Sequence, residues 1–518
     1  MRTCEIAMGG GRVKPLNAEN ALRRAWAEAL GDVAACDGDF FAHGGDSLRA
    51  LAVSASVLRQ LGVTLDPRWL YDVPRFADAL ADLQARAGQK SGGAVGEIAA
   101  GPREGDHPLS FQQEGLLAWG DRFGERHHHR LAYAVAVPAG TLDGGRLRAA
   151  VALAGRRHPA LRTTVYDGRQ HVDDRRLELH TISSTSSAQL DAARAWCAQG
   201  FANGGPLASA ALIGGAEEDV VVLAAHQLVM DPWSWGLFLR EVSARYSAPD
   251  APADNADGRV PAYSDYARWQ RRYLTGAVYA EHLEFWRTVA AGFPAEGVPL
   301  PGSTVGAAPA GPAARLPVAV PAALVTDLQA LGRRRDASLF HVLLALFHAA
   351  VAAWAGVPEV VVGSATANRT VPGTDQTVGF FVNGRFTRAE PARHATLADL
   401  IAGVRDGWRA GDAHQELHLE KTVFDLGVPD LVNVKFSLDS IPTLDPLPEL
   451  GGRRLRPVRL AEAATARRHL AVSLSRAGGG LAGGLIYRTD LLTTGDAAAL
   501  LERFHQVMCR AVTEWEGR

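Results

Sequence analysis

The sequence predicts an α+β protein in which a small helical unit precedes a larger unit of mixed helices and strands. Three observations along the 518 residues support this prediction. Residues 17–87 place apolar side chains at helical spacing, and residues 88–105 are rich in Gly, Ala and Ser without an apolar period. From about residue 106 onward, strand-like and helix-like segments alternate to the C-terminus. A prior of roughly 150 residues per domain suggests about three packed units.

The small unit is predicted to contain three helices. The apolar stripe of the first helix consists of Leu22, Trp26 and Leu30. Gly44 and Gly45 break the chain before the second helix, and the third covers about residues 75–87. We expect residues 88–105 to form a linker.

The larger unit is predicted to have two lobes, separated near the Pro-, Gly- and Ala-rich residues 301–316. Its clearest strand candidates are residues 220–225, 359–363 and 378–383, and its clearest helix candidates are residues 144–157, 235–246 and 497–515. Residues 340–357 are almost wholly apolar but contain two histidines and are shorter than the ~20 residues of a membrane span. We therefore expect a helix buried on nearly all sides.

The charge and cysteine content exclude several classes of protein. With 54 Lys and Arg against 56 Asp and Glu, the chain lacks the basic face of a nucleic-acid or anionic-membrane binder. The four cysteines are Cys4, Cys36, Cys197 and Cys509, which form neither a CxxC pair nor a disulfide framework. The N-terminal residues also lack the apolar core of a signal peptide. We therefore expect a cytoplasmic protein that binds neither nucleic acid nor membrane.

Ser47 is a candidate modification site because it stands at the start of the second predicted helix. Residues 40–48 read FFAHGGDSL, and the two glycines allow a tight approach to the serine. A helix N-terminus offers free N–H groups and a positive dipole end, which suit a phosphate ester. The alternative is that Ser47 is only a helix cap, which is a common role for serine.

This motif, set between helices in a unit of about 75 residues, closely resembles the carrier domain of nonribosomal peptide synthetases. The resemblance implies that Ser47 bears 4′-phosphopantetheine, attached by a phosphopantetheinyl transferase. The thiol of this arm holds an aminoacyl or peptidyl group as a thioester in that family. We therefore expect residues 15–87 to be a peptidyl carrier domain.

The larger unit contains seven short elements that are informative together. They are, in chain order, LSFQQEGL at residues 109–116, RHPALRTT at 157–164, YSDYARW at 263–269, ANR at 367–369, VGFFVN at 378–383, HQE at 414–416 and YRTDL at 487–491. Each is weak alone, but all seven in this order closely resemble a condensation domain, the amide-forming partner of such carriers. The resemblance implies two lobes related to chloramphenicol acetyltransferase with a tunnel between them, here residues 106–290 and 291–518. Residues 431–440, LVNVKFSLDS, do not match the Arg-rich element expected there.

The expected active-site loop departs from the family pattern HHxxxDG. It reads HQLVMDPWS from residue 226, so that His226 occupies the first histidine position and Gln227 the second, which is the one associated with catalysis. Pro232 replaces the glycine. Glutamine cannot titrate, so Gln227 cannot act as a general base, although its amide can still accept and donate hydrogen bonds. Orientation of tethered reactants can still accelerate aminolysis of a thioester.

The resemblance also suggests structural roles in this loop. It implies that Asp231 pairs with Arg162 of the RHPALRTT element in a salt bridge that shapes the loop. His226 is interpreted as a hydrogen-bonded structural histidine, with a substitute base as the alternative.

Other clusters favour structural interpretations. His127, His128 and His129 could bind a metal, but no spaced fourth ligand is evident and a solvated loop is the preferred interpretation. His414 and His418 are interpreted as packing residues because no HExxH pattern accompanies them. The glycines at residues 478–480 and 483–484 lack a following GK[ST] and predict a hairpin. No metal site is predicted.

Three functions are compatible with these features. The first is an amide-forming acyltransferase in which Gln227 positions the amine. The second is an inactive condensation-like domain that recruits a tailoring enzyme to the loaded carrier, and the third is a cyclising or releasing domain. Because this division leaves no room for an adenylation domain, we expect a trans-acting adenylation enzyme to load the carrier. Another synthetase module, a carrier or a free amine would supply the acceptor.

Overall fold

The structure is a computed structural model of the chain. It describes residues 18–30, 38–41, 43, 45, 47–61, 63, 65, 69–87, 98–123, 130–184, 188–199, 201, 204–249, 260–301, 310–439, 447–460 and 465–516. The chain divides into two compact units, Met1–Gly96 and Glu97–Arg518. Residues 127–129 and Gly44, singled out above, lie outside the described residues.

The first unit is helical. Its helices are α1 (Ala18–Leu30), α2 (Ser47–Leu61), α3 (Trp69–Asp72) and α4 (Phe76–Ala87). The Trp26 ring lies at its centre and meets the rings of Phe40 and Phe76 edge-on, with centroids 5.0 and 5.3 Å apart. The three long helices are those predicted from apolar spacing, and α3 is a short addition.

The second unit mixes helices and strands, as predicted. Its helices are α5 (Phe111–Phe123), α6 (Gly144–Arg157), α7 (Gln189–Ala198), α8 (Pro232–Ser247), α9 (Tyr263–Tyr273), α10 (Gly276–Ala290), α11 (Ala322–Arg333), α12 (Leu339–Ala355), α13 (Leu397–Ala410), α14 (Leu419–Asp425) and α15 (Thr494–Glu516). The fold class predicted from the sequence is therefore confirmed.

The strands follow the same alternation. They are β1 (Gly105–Pro108), β2 (Arg130–Pro138), β3 (Thr163–Tyr166), β4 (Arg169–Val172), β5 (Leu179–Ser183), β6 (Ala208–Gly214), β7 (Glu218–His226), β8 (Gly311–Val320), β9 (Val360–Thr366), β10 (Asn383–Ala389), β11 (Val434–Asp439), β12 (Glu449–Leu450), β13 (Arg453–Arg454), β14 (Arg456–Val458), β15 (Thr465–Ala466), β16 (Leu470–Ala477) and β17 (Gly480–Arg488).

Two large sheets organise the second unit. One has five strands in the order β14-β2-β7-β6-β5, and the other has seven in the order β10-β9-β11-β16-β17-β8-β15. Strand β14 comes from the C-terminal half of the chain but pairs with β2, through Arg456 opposite Ala136. The remaining strands form the small sheets β1-β4-β3 and β12-β13.

The seven-stranded sheet packs against a buried helix. Every residue of α12 from Leu339 through Ala352 is buried, which matches the prediction of a helix covered on nearly all sides. Apolar side chains such as Phe347 and Phe504 join this helix and α15 to the sheet, and their burial supplies the main stabilisation of the lobe. No helix in the described part of the chain combines the length and apolar character needed to cross a bilayer.

Two local predictions have different outcomes. The glycine run forms the predicted hairpin, in which Gly478 and Gly479 take positive φ angles of 55° and 82° between β16 and β17. The strand predicted over residues 378–383 is wrong, because β10 begins only at Asn383. The backbone N–H groups of Phe381 and Val382 donate to a side chain instead of a neighbouring strand.

The structure describes only the second part of the predicted linker, residues 88–105. Residues 98–105 belong to the second unit, since the Ile98 side chain is buried in its core and the Gly101 N–H donates to Asp265 at 3.0 Å. Residues 88–97 lie outside the described residues.

Candidate functional site

The loop predicted to be the active-site loop joins the end of β7 to the start of α8. A turn covers residues 227–229, and Asp231 then caps α8 by accepting a hydrogen bond from the Ser234 N–H at 2.8 Å. Pro232 occupies the first turn of the helix, where no backbone N–H is needed and its fixed φ suits the helix. The replacement of glycine by proline is therefore compatible with the loop.

The Asp231 carboxylate is fully engaged at the centre of this loop. The Nη2 of Arg369 donates to Oδ1 at 2.9 Å and to Oδ2 at 3.0 Å, and both side chains are buried. The N–H groups of Phe381 and Val382 donate to Oδ2 at 3.0 and 3.2 Å. Asp231 thus fixes the loop to the segment before β10, which explains why that segment is not a strand.

Arg369 is held as tightly as its partner. Its Nη1 donates to the carbonyl oxygens of Thr374 and Thr377, and its guanidinium lies 4.3 Å from the centroid of the Phe381 ring. Burial lowers the pKa of Arg369, and Asp231 opposes that shift. A buried pair of this kind is stable only because nearly every charged atom has a partner.

The predicted partner of Asp231 was wrong. Arg162 ends a 3-10 turn at Pro159–Arg162, and its Nη1 donates to the carbonyl oxygen of Asp173. The nearest carboxylate to its guanidinium is Glu104, at 3.7 Å. Arg162 therefore supports the small sheet that contains β3 and β4, whereas Arg369 supports the active-site loop.

His226 makes a hydrogen bond that defines its tautomer. Its Nδ1 accepts the Leu228 N–H at 3.1 Å, so Nδ1 is unprotonated and a neutral ring carries its proton on Nε2. The ring is buried and lies edge-on to Phe201, with centroids 6.2 Å apart. Because its basic nitrogen is already used by the backbone, His226 is better suited to shaping the turn than to accepting a proton.

Gln227 differs from His226 and Asp231 in the hydrogen bonding of its side chain. It is half-buried, and its amide makes no hydrogen bond with any residue that the structure describes. The turn beneath it is fixed by the Gln113 Nε2, which donates to the Leu228 carbonyl oxygen at 2.9 Å. A rigid turn therefore presents an amide whose hydrogen-bonding groups are available to a ligand.

A cleft of about 520 Å³ opens on the His226 side of β7. Its lining includes Arg176, His180, Trp196, Phe201 and Ala224. Phe201 therefore lies between this cleft and the His226 ring.

Two supports of the loop were missed by sequence reasoning. Arg369 lies in an element recognised by resemblance, but 138 residues separate it from Asp231, and nothing in local spacing links them. The second is Ser234, whose Oγ accepts from Gly379 N–H at 3.0 Å and donates to Gly379 carbonyl oxygen at 2.9 Å. Only a fold, or the co-variation of such pairs among relatives, could reveal them.

The first unit provides a suitable position for a phosphate ester. Helix α2 begins at Ser47, so a group on this residue would lie at the positive end of a 15-residue helix. The preceding Gly45 donates its N–H to the Phe40 carbonyl oxygen at 2.9 Å, and a Cβ at Gly45 would lie only 2.6 Å from that oxygen. The close packing before Ser47 therefore requires glycine, and the residues present fit phosphopantetheine.

The comparisons with known families match both units. The family described as "Condensation domain" matches residues 103–517, and "Phosphopantetheine attachment site" matches residues 20–83. A domain of the second family carries covalent 4′-phosphopantetheine.

Curated relatives are large synthetases. The chain is 30% identical over 504 residues to malpinin synthetase of Mortierella alpina, covering 91% of this chain and 6% of that protein. It is 28% identical over 499 residues to N-(5-amino-5-carboxypentanoyl)-L-cysteinyl-D-valine synthase of Amycolatopsis lactamdurans, covering 91% of this chain and 13% of that protein. The chain thus spans a small fraction of these relatives.

Solved structures share the fold of the larger unit. The X-domain from teicoplanin biosynthesis aligns with a TM-score of 0.69 at 22% identity, over 81% of this chain and 97% of that one. The condensation domain from the monacolin K polyketide synthase MokA aligns with a TM-score of 0.67 at 18% identity, over 79% and 97%. Together with the family matches, this shows that the chain belongs to the condensation-domain family and is a carrier–condensation didomain of the nonribosomal peptide synthetase type.

Proposed function

We propose that the larger unit forms an amide between an acyl group on the carrier and an acceptor amine, with Gln227 positioning the amine. The observation that supports this is the Gln227 amide, which has no hydrogen-bond partner among the described residues and lies on a loop fixed by Asp231 and Arg369. Phosphopantetheine, when bound to the carrier, supplies a thioester as the activated acyl group. We propose Ser47 as its attachment residue.

The role of Gln227 is orientation. Its carbonyl oxygen accepts a hydrogen bond from the amine, while its NH2 group donates one to a substrate oxygen. Since neither Gln227 nor the engaged Nδ1 of His226 can take a proton, the amine must arrive uncharged. The rate should therefore rise with pH along the titration of the amine itself.

The first experiment measures amide product by intact-protein mass spectrometry, with a donor loaded on the holoprotein and a panel of amines added. We expect Gln227→Ala to lower the rate about tenfold or more through lost orientation. Gln506→Ala on the exposed face of α15 is the matched control and should leave the rate unchanged. Equal rates for native protein and Gln227→Ala would remove Gln227 from the mechanism, and no product with any amine would overturn the proposal.

The converse variant is Gln227→His. A histidine at this position should add a limb to the pH–rate profile near its ordinary pKa of about 6.5. A profile that still follows only the amine would show that the turn does not place this side chain at the reacting atoms.

Ser47 is tested by phosphopantetheinylation. We expect Ser47→Ala to lose the mass increase of one phosphopantetheinyl group, whereas Ser56→Ala, on the same helix, retains it. Retention of the modification in Ser47→Ala would refute the assignment.

The second candidate is a binding module that recruits a tailoring enzyme to the loaded carrier. Loss of a titratable group at position 227 favours this function. A solved structure that shares the fold of the larger unit is a complex of the X-domain and OxyB from teicoplanin biosynthesis. Under either function, we propose a phosphopantetheinyl transferase, a trans-acting adenylation enzyme and other synthetase modules or carriers as partners.

A further inference from the structure

A group of charged side chains lies where the start of α14 meets β11 and the segment before β16. We name it the cationic cluster, and it consists of His418, Glu420, Lys435, Arg467 and Arg468. The Glu420 carboxylate lies 3.3 Å from Nε2 of His418, 3.5 Å from Arg468 and 3.6 Å from Arg467. One carboxylate therefore serves two guanidinium groups and an imidazole.

Lys435 is the member of this cluster that contacts no counter-charge among the described residues. Its ammonium makes no hydrogen bond or ion pair with any residue in the described ranges, although the side chain is half-buried. The charges that act on it are those of Arg467 and Arg468, which are like charges, and that of Glu420, which is opposite. A half-buried cation in such a setting is stabilised by an added anion.

Arg468 shows the same shortage of acceptors. It is buried, and Nη1 donates to the Val432 carbonyl oxygen, but Nε has no partner among the described residues. The Nε of Arg369 is in the same state, so the feature that sets the cationic cluster apart is the Lys435 ammonium, which makes no hydrogen bond or ion pair with a described residue.

The stem of Lys435 packs between small residues of the two neighbouring strands. Its stem crosses Gly363 of the neighbouring strand, where an added Cβ would lie 3.4 Å from the Lys435 Cγ. On the other side, its partner in the ladder is Ala471. Small residues on both neighbouring strands therefore flank the ammonium-bearing side chain.

The same elements connect this cluster to the active-site loop. Helix α5 holds the loop through Gln113, and its Gly115 packs against His418, close enough that an added Cβ would lie 2.8 Å from Nδ1. Asn383, directly after the segment bound by Asp231, accepts from the Leu419 N–H at 2.9 Å. Helix α5 thus contacts both the active-site loop and His418 of the cationic cluster.

We propose that the cationic cluster is a subsite in which Lys435 binds a carboxylate of one of the two substrates of the proposed amide formation. The carboxylate forms a charge-assisted hydrogen bond with the ammonium, whose only opposite charge among its described electrostatic neighbours is Glu420. Lys435 is thus a specificity-determining residue. This inference rests on the proposed function for the identity of the substrate, but its binding chemistry can be tested separately.

The pKa of Lys435 agrees with this role. Burial lowers the pKa to about 7, Arg468 and Arg467 contribute in the same direction, and Glu420 opposes them. An anion bound beside the ammonium favours the protonated form and raises that pKa. Binding of a carboxylate should therefore make the side-chain amine of Lys435 less nucleophilic.

The first experiment uses selective acetylation of lysines in the holoprotein, without turnover. The chain has only four lysines, Lys14, Lys90, Lys421 and Lys435, so peptide mass spectrometry resolves each rate. The probes are N-acetylalanine and N-acetylalaninamide, which differ in the carboxylate. We expect the acid to slow acetylation of Lys435 about tenfold at saturation and the amide to have no effect. Lys421, which pairs with Asp425 at 3.0 Å, is the internal control.

Three results would overturn the subsite. They are equal protection by the acid and the amide, protection by neither, and a Lys435 that does not react at all. None of these results depends on amide formation, so failure of the subsite remains distinct from failure of the proposed function.

The second experiment identifies which substrate carries the carboxylate. In one arm the acceptor is alanine or alaninamide, and in the other the loaded donor is succinyl or butyryl. We expect Lys435→Met to act in one arm only, where it either raises KM about tenfold for alanine or lowers the single-turnover rate about tenfold for the loaded succinyl group, while the neutral members are unchanged. Lys421→Met is the matched control, and Lys435→Arg should restore the preference. Loss of rate for all substrates, or no change in either arm, would contradict a specificity role.

Discussion

Two groups of buried charges in the larger unit are built in opposite ways. In the Asp231–Arg369 pair, both carboxylate oxygens accept hydrogen bonds, from the guanidinium and from backbone N–H groups. In the cationic cluster, Glu420 pairs with two arginines, and the Lys435 ammonium makes no hydrogen bond or ion pair with any described residue. The comparison suggests that closed pairs hold shape, whereas open clusters bind ligands.

The largest expected effect comes from removing one partner of the Asp231–Arg369 ion pair. Arg369→Met leaves the Asp231 carboxylate buried without its cation, which should lower the free energy of unfolding of the larger unit by about 3–5 kcal/mol. Denaturant unfolding followed by tryptophan fluorescence measures this change. Arg162→Met, which removes the arginine predicted from the sequence to be the partner, should cost less, about 1–2 kcal/mol. An equal loss of unfolding free energy in the two variants would contradict the assignment of Arg369, and not Arg162, as the partner of Asp231.

An intermediate effect is expected beside the cationic cluster. Gly115→Ala places a Cβ 2.8 Å from Nδ1 of His418 and 3.2 Å from Cβ of Glu420, so overpacking should cost about 1–3 kcal/mol. Gly407→Ala in α13 is the matched control, because nothing lies within 4 Å of its added Cβ. That variant should gain about 0.5–1 kcal/mol through helix propensity. Stabilisation by both variants would show that His418 moves freely.

The smallest effect is a pH dependence that distinguishes the open cluster. Unfolded Lys435 keeps its proton up to its ordinary pKa of 10.5, whereas the folded protein releases it near a pKa of about 7. Between these values the unfolded state binds more protons, so this residue makes stability rise with pH. Lys435→Met should therefore melt about 2 °C above the native protein at pH 6, and the difference should disappear toward pH 10. A difference that is independent of pH would argue against an uncompensated ammonium.

Local features of the fold could be predicted because local rules determine them. The helix over residues 144–157 was predicted with its observed bounds, and the hairpin at residues 478–479 follows from glycine's tolerance of positive φ. Residues 431–440, which matched no expected element, form strand β11 over Val434–Asp439.

Long-range features of the site could not be predicted in this way. The strand expected over residues 378–383 has the right apolar composition, but Asp231 takes the N–H groups of Phe381 and Val382. The choice of Arg369 over Arg162 depends on which guanidinium the fold brings to the loop. The identity of Gln227 was visible in the sequence, whereas the freedom of its amide required the structure.

Strand β14 has a consequence for biosynthesis. Until residues 456–458 leave the ribosome, β2 is the outermost strand of the five-stranded sheet, and its backbone groups are open to pairing with other chains. The N-terminal lobe therefore cannot finish folding as it emerges, but must wait for more than three hundred further residues after β2. Chaperone binding to nascent chains should consequently persist until late in translation and end when this last strand adds to the sheet.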